Sequence, residues 1–188
     1  MTGNQETLAV LFADISGSAE LFDRLGSEQA QQSISQCVGI MTRELGAFQG
    51  IVIKTISDEI MSTFPTAEQA FHAACAMSGA VESCKSQDGI PLFSRIGFHY
   101  GKVTRESGDV FGDTVNIAAR IAAITRANQI IVTQAVFDVL PQALRTKMRQ
   151  INRADLTSRL PQLDIFQVIC NPDGESGERI GSPEQRKS

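Results

Sequence analysis

Asp14, Lys54, Asp58, Asp109, Asn116 and Arg120 are residue types that could do chemistry together. Asp14 closes a nearly unbroken apolar run, "TLAVLFAD", and is followed by Ile15, Ser16, Gly17 and Ser18. A carboxylate there, beside a tight turn into a helix, suits a hard cation. The backbone N–H groups of residues 15–18 suit phosphate oxygens. A strand-end aspartate that only caps the next helix would read the same way. Asp58 stands in "VIKTISDEIM", where Lys54 and Glu59 also interrupt a run fit for a buried hairpin. Buried charge is costly unless it is paired or bound to an ion. If their strands are neighbours, Asp14 and Asp58 could reach one or two Mg²⁺ ions, although "SD" is equally a good turn pair. In "DVFGDTVNIAAR", Asn116 and Arg120 have the spacing that puts them on one helix face. An amide beside a guanidinium could hold a ribose and a phosphoryl group. A solvated helix face is the plainer reading.

The elements that must position these groups follow from periodicity. Residues 7–14 read as a central strand buried on both faces. Residues 19–48 read as helix, interrupted near Gly26, where Ser27 can cap a second segment. "IVIKTI" and "EIMSTF" flank "SD" as a hairpin. Pro65 or Thr66 opens a helix whose packing face is Ala70, Ala73, Ala74, Met77, Ala80, Val81 and Cys84. "LFSRIGFHYG" (92–101) is another strand, and the order is then βαββαβ. That is a ferredoxin-like α+β core, an antiparallel sheet of palm type with its helices on one face. "KVTRESG" reads as a short polar link. A helix from Asp113 or Thr114, a strand over 129–133, a short helix at "AVFDVL" and a strand over 163–169 form a C-terminal α/β extension. Residues 1–170 make one domain. Residues 171–188 are polar and rich in Gly, Pro and Ser, as expected of a disordered tail or a linker toward a further C-terminal, regulatory domain.

Composition narrows the function classes. With 188 residues, 42% hydrophobic and 20% charged, the chain is ordinary soluble globular material. Its net charge of −4 argues against an electrostatic nucleic-acid binder, so a polyanionic ligand needs a local site. No apolar run approaches the roughly 18 residues of a membrane span, and the N-terminus carries no signal-peptide pattern. Cys37, Cys75, Cys84 and Cys170 show no metal-ligand spacing and read as reduced thiols of a cytoplasmic protein. His72, His99, Phe12, Phe64 and Phe98 read as packing or surface residues, and Glu59 as a hairpin charge facing solvent.

Taken in order, "LFADISGSAELFDRLG", "IVIKTISDEIMSTFP" and "GDVFGDTVNIAARIAAI" resemble the class III adenylyl/guanylyl cyclase catalytic domain, of the bacterial short-arm type, over residues 7–169. The resemblance implies metal binding by Asp14 and Asp58, with the Ile15 carbonyl as a further ligand. It implies purine reading by Lys54 and Asp109, ribose orientation by Asn116, and stabilisation of the transferring phosphate by Arg120. Ser16, Gly17 and Ser18 are the expected phosphate contacts. The implied reaction converts ATP to 3′,5′-cyclic AMP and pyrophosphate with two Mg²⁺ or Mn²⁺ ions. A Lys/Asp pair suits adenine, since an ammonium donates to N1 and a carboxylate accepts from the 6-amino group, whereas guanine presents the reverse pattern.

Lys54 and Asp58 would be roughly 13 Å apart on an extended chain. The family resolves this with a homodimer whose sites are shared, the metal aspartates coming from one protomer and the remaining groups from the other. A catalytically silent nucleotide-binding module and a guanylate cyclase are the alternative readings. The chain departs from the family's pattern in the short segment between Tyr100 and Asp109. It departs again at Ser57, where glycine is usual. The late triphosphate-binding lysine has no clean match, Ser158 or Arg159 lying nearest.

Overall fold

A computed structural model of the chain describes residues 3–84, 89–151 and 163–170. Strand β1 (Asn4–Ser16) is central, with antiparallel partners on both sides: β3 (Glu59–Phe64) and β4 (Phe93–Glu106). β2 (Ile51–Ile56) pairs with β3, so the first four strands run β2-β3-β1-β4, as the βαββαβ reading requires. Among the described residues the sheet has eight strands. It continues through β6 (Gln129–Thr133), parallel to β4, to β8 (Ile165–Val168) and β7 (Met148–Gln150), while β5 (Asp109–Phe111) pairs with β4.

Alternation along β1 divides the core into two layers. Ala9, Leu11, Ala13 and Ile15 lie beneath α1 (Ser18–Ala47) and α2 (Ala67–Ser83), in one cluster with Leu21, Ile34, Met41, Phe71 and Met77. Leu8, Val10 and Phe12 face the other way and pack with Met61, Val110 and Ala118 of α3 (Asp113–Ile124). The two core helices therefore share one face, as expected. α3, from the extension, covers part of the opposite face.

Several local expectations hold. α1 breaks at Gly26 (φ 76°, ψ 171°). α2 opens on a Thr66–Gln69 capping box, in which the Thr66 Oγ1 accepts from the Gln69 N–H and the Gln69 side chain accepts from the Thr66 N–H. Ser57 takes φ 56° in the β2–β3 turn, a conformation that costs a side-chain-bearing residue energy and that glycine adopts freely.

Other expectations are corrected. "KVTRESG" is no link: β4 continues to Glu106 and turns through Ser107 (φ 51°) and Gly108 (φ 82°) into β5. Two successive residues with positive φ match the twist of a tight hairpin. α5 (Gln142–Arg145) and β7 follow the short helix α4 (Gln134–Val139) and were not foreseen. Nor are all four cysteines free thiols. Cys75 on α2 and Cys170 after β8 form a disulfide, with Cα atoms 5.5 Å apart across 95 residues of sequence. Only the return of β8 to the sheet brings them together. The cysteine pattern thus gives no support for a reducing compartment. Cys37 and Cys84 are free, and burial together with the Cys84 sulfur pushes the Cys37 thiol up to about 12. The expected domain boundary at residue 170 adjoins the end of the described residues, and Ser158 and Arg159 lie outside them.

Candidate active site

The chemistry-bearing groups gather on the α3 side of the sheet. Asp14 follows Phe12 on that face, near the carboxyl end of β1. Ser16 ends the strand, Gly17 turns at φ 93°, and Ser18 begins α1, so the backbone of "SGS" opens a helix as anticipated. Directly across from Asp14 in register stands Arg95 on β4. Its Nε donates to Asp14 Oδ1 at 2.8 Å and its Nη2 to Oδ2 at 2.5 Å, a two-pronged ion pair.

Phe12, Asp14, Glu59, Arg95 and the small residues Ala119, Ala122 and Ala123 of α3 line a cleft of about 240 Å³. That is less than the about 300–1,000 Å³ that ligand pockets usually span. Glu59 points into this cleft, contrary to the expectation of a solvent-facing charge. Burial holds its carboxyl above the usual range, and the Asp14 and Asp58 carboxylates add to that, against the pull of Arg95. Asp58 stands in the turn directly before Glu59. The hydrogen bond to Asp14 keeps Arg95 more firmly charged, and Asp58 and Glu59 reinforce it.

Lys54 reaches the same side of the sheet through a β-bulge. Val52 pairs with Ser62, but Lys54 pairs with Met61, so Ile53 is the extra residue. Without the bulge Lys54 would stand opposite Ile60, whose side chain lies in the α1/α2 layer. One inserted residue flips the lysine to the α3 face. There its Nζ donates to Asp109 Oδ2 at 2.8 Å. That bond and the Val110 N–H hold the Asp109 carboxyl below its ordinary value. Two groups 55 positions apart in sequence, expected to work as a pair, are in contact.

Asn116 and Arg120 lie on one exposed stripe of α3 and do not line the cleft that holds Asp14. The protomer therefore brings together Lys54 with Asp109, and Asp14 with Arg95 and Glu59, while Asp58 stands in the adjoining turn outside the cleft lining and Asn116 and Arg120 face outward. α3 is seated by close approach to β4. A Cβ on Gly97 would fall 2.5 Å from the Ala122 nitrogen, and one on Gly101 would fall 2.6 Å from Thr114 Oγ1. Between these glycines sits His99, buried, its Nδ1 2.7 Å from Thr133 Oγ1.

Burial pushes His99 below the ordinary histidine value of 6.5. Below about pH 6.5 the unfolded chain takes up a proton that the native site resists. Stability is expected to fall as pH drops from there toward the lowered native pKa, and then to level. His99→Gln, which cannot protonate, is expected to flatten that part of the profile in urea titrations. An unchanged slope would place the acid sensitivity elsewhere.

Among the described residues no three His, Cys, Asp or Glu side chains gather into one metal-holding group. Magnesium needs no such group: it takes one or two protein carboxylates and completes its shell with water and phosphate. Asp14 and Asp58, with the Ile15 carbonyl, are hard-oxygen groups that could serve such an ion, and Asp14 already pairs with the cationic Arg95. Arg95 is the cleft residue that sequence reasoning passed over, and Glu59, read there as a solvent-facing charge, lines the cleft as well. Arg95 lies inside "LFSRIGFHYG", where a single arginine in a strand gives no sign that an aspartate faces it.

Residues 2–166 match the family described as the adenylate and guanylate cyclase catalytic domain. The chain belongs to that family. It is 31% identical over 133 residues to an adenylate cyclase of Streptomyces coelicolor, a match covering 71% of this chain and 34% of that protein. It is also 25% identical over 150 residues to a membrane guanylyl cyclase of Dictyostelium discoideum, covering 72% of this chain and 10% of that protein. Among solved structures, the adenylyl cyclase CyaB from P. aeruginosa superposes with a TM-score of 0.72 at 20% identity, over 90% of this chain and 96% of that one. The chain thus spans about a third of the Streptomyces protein's length and a tenth of the Dictyostelium protein's. No helix among the described residues is long and apolar enough to cross a membrane.

Proposed function

We propose that this chain is an adenylate cyclase, converting ATP to 3′,5′-cyclic AMP and pyrophosphate at two sites shared across a homodimer. The observation that carries the reading is the Lys54–Asp109 pair at 2.8 Å, a donor and an acceptor side by side on the cleft's side of the sheet. An ammonium and a carboxylate so placed complement adenine N1 and its 6-amino group, and oppose guanine. Asn116 orients the ribose so that its 3′-oxygen faces the α-phosphorus. Arg120 offsets the charge that grows on the α-phosphate as the new O3′–P bond forms and the bond to the β-phosphate breaks. The N–H groups of Ser16, Gly17 and Ser18 hold phosphate oxygens at the start of α1. Asp14, Asp58 and the Ile15 carbonyl would hold two Mg²⁺ or Mn²⁺ ions, which would supply Lewis-acid activation of the 3′-hydroxyl and charge neutralisation of the triphosphate.

The test is base discrimination. Purified protein is expected to turn over ATP in preference to GTP with Mg²⁺ or Mn²⁺. Lys54→Glu is expected to lower the ATP-to-GTP ratio of kcat/KM by about 100-fold, mainly through loss on ATP, because an unpaired acceptor then faces N1. An unchanged ratio would show that the pair does not read the base. A parent preference for GTP would make the chain a guanylate cyclase, and ATP binding without cyclic product would make it a silent module.

A further inference from the structure

Both oxygens of Asp14 are engaged by one guanidinium. Arg95 meets them through Nε at 2.8 Å and Nη2 at 2.5 Å, and register fixes the two residues opposite each other on neighbouring strands. The Asp14 side chain is 22% exposed and that of Arg95 39%, so the carboxylate is largely enclosed while the guanidinium retains a route outward. A divalent metal on Asp14 would draw on the same carboxylate charge that the guanidinium now balances. Two cations cannot occupy one carboxylate in this cleft without strong mutual repulsion. Glu59 lines the cleft beside them, and its charge already bears on Arg95.

We propose that Arg95 is the site's own counter-cation: it holds Asp14 while no metal is bound, and a divalent metal enters by displacing it toward Glu59. This rests on the reading of Asp14 as a metal ligand. It goes further in making metal affinity a competition inside the protein. The free enzyme holds its metal weakly because an internal cation must first leave. Glu59 reduces the cost of leaving by offering the guanidinium a second carboxylate.

The experiment follows Mn²⁺ binding to the whole protein without nucleotide, by the loss of the free-ion EPR signal. Arg95→Gln is expected to bind Mn²⁺ at least about tenfold more tightly than the parent, the scale of a charge-assisted hydrogen-bonded pair. Arg95→Lys, which keeps a cation but loses the second prong, is expected to fall between them, and it carries the test if circular dichroism shows Arg95→Gln to be unfolded. Glu59→Gln is expected to weaken Mn²⁺ binding more in the parent than in the Arg95→Gln background. Equal penalties in both would overturn the role given to Glu59. If neither Arg95 variant binds more tightly while Asp14→Asn weakens binding in every background, the displacement is wrong and the metal reading stands. If Asp14→Asn changes nothing in any background, the metal reading itself falls, and the proposal with it.

Discussion

Arg120→Ala protein is expected to turn over ATP about 10²–10³-fold more slowly than the parent, with KM nearly unchanged. The size follows from the role. A guanidinium directed at charge that develops only in the transition state contributes little to holding the ground-state triphosphate. Its loss therefore appears in kcat and in kcat/KM alike. The structure places Arg120 on the exposed stripe of α3 with Asn116, outside the cleft of its own protomer. Removing its side chain leaves the core untouched, since the packing of α3 rests on Thr114, Ala118 and Ile121. Stability is thus expected to stay within about 0.5 kcal/mol of the parent, as for surface substitutions generally. A rise in KM with kcat preserved would assign Arg120 to substrate binding instead.

Much of the fold was legible because its signals are local. The apolar run of β1, the break at Gly26, the capping residue Thr66 and the strand at 129–133 each rest on a few adjacent residues, and each stands where it was expected. The site was less legible because its decisive features are pairings. The bulge at Ile53, which sends Lys54 to the α3 face, depends on how β2 registers against β3. Arg95 acquires meaning only from Asp14 across the ladder. The Cys75–Cys170 disulfide depends on where β8 returns. Glu59 looked like a solvent-facing hairpin charge because nothing in "SDEI" shows that α3 roofs the space beside it with alanines. "KVTRESG" reads as a link because Val103 is its one apolar residue, and its place as a strand is set by pairing with the start of β1 and with β5. Ser57 is the reverse case. Its departure from glycine was noticed in the sequence, and the turn does hold it at positive φ.

The central claim is that the metal aspartates of one protomer serve the ribose and phosphate residues of another. Asp14 lies in the cleft and Asn116 on the outward stripe, so each protomer presents two incomplete halves. Asp14→Ala and Asn116→Ala proteins are each expected to be inactive alone, because every site in either homodimer lacks one essential group. Free exchange of equal amounts makes half the dimers mixed. In each mixed dimer one site keeps all of its groups and the other lacks both. The direct measurement is cyclic AMP formation from ATP by the two variants, separately and after mixing under conditions that allow subunits to exchange. The expected result is recovery of about a quarter of the parent rate, at the same total protein, from two silent preparations. Continued silence, in a mixture shown to contain mixed dimers, would contradict the shared site.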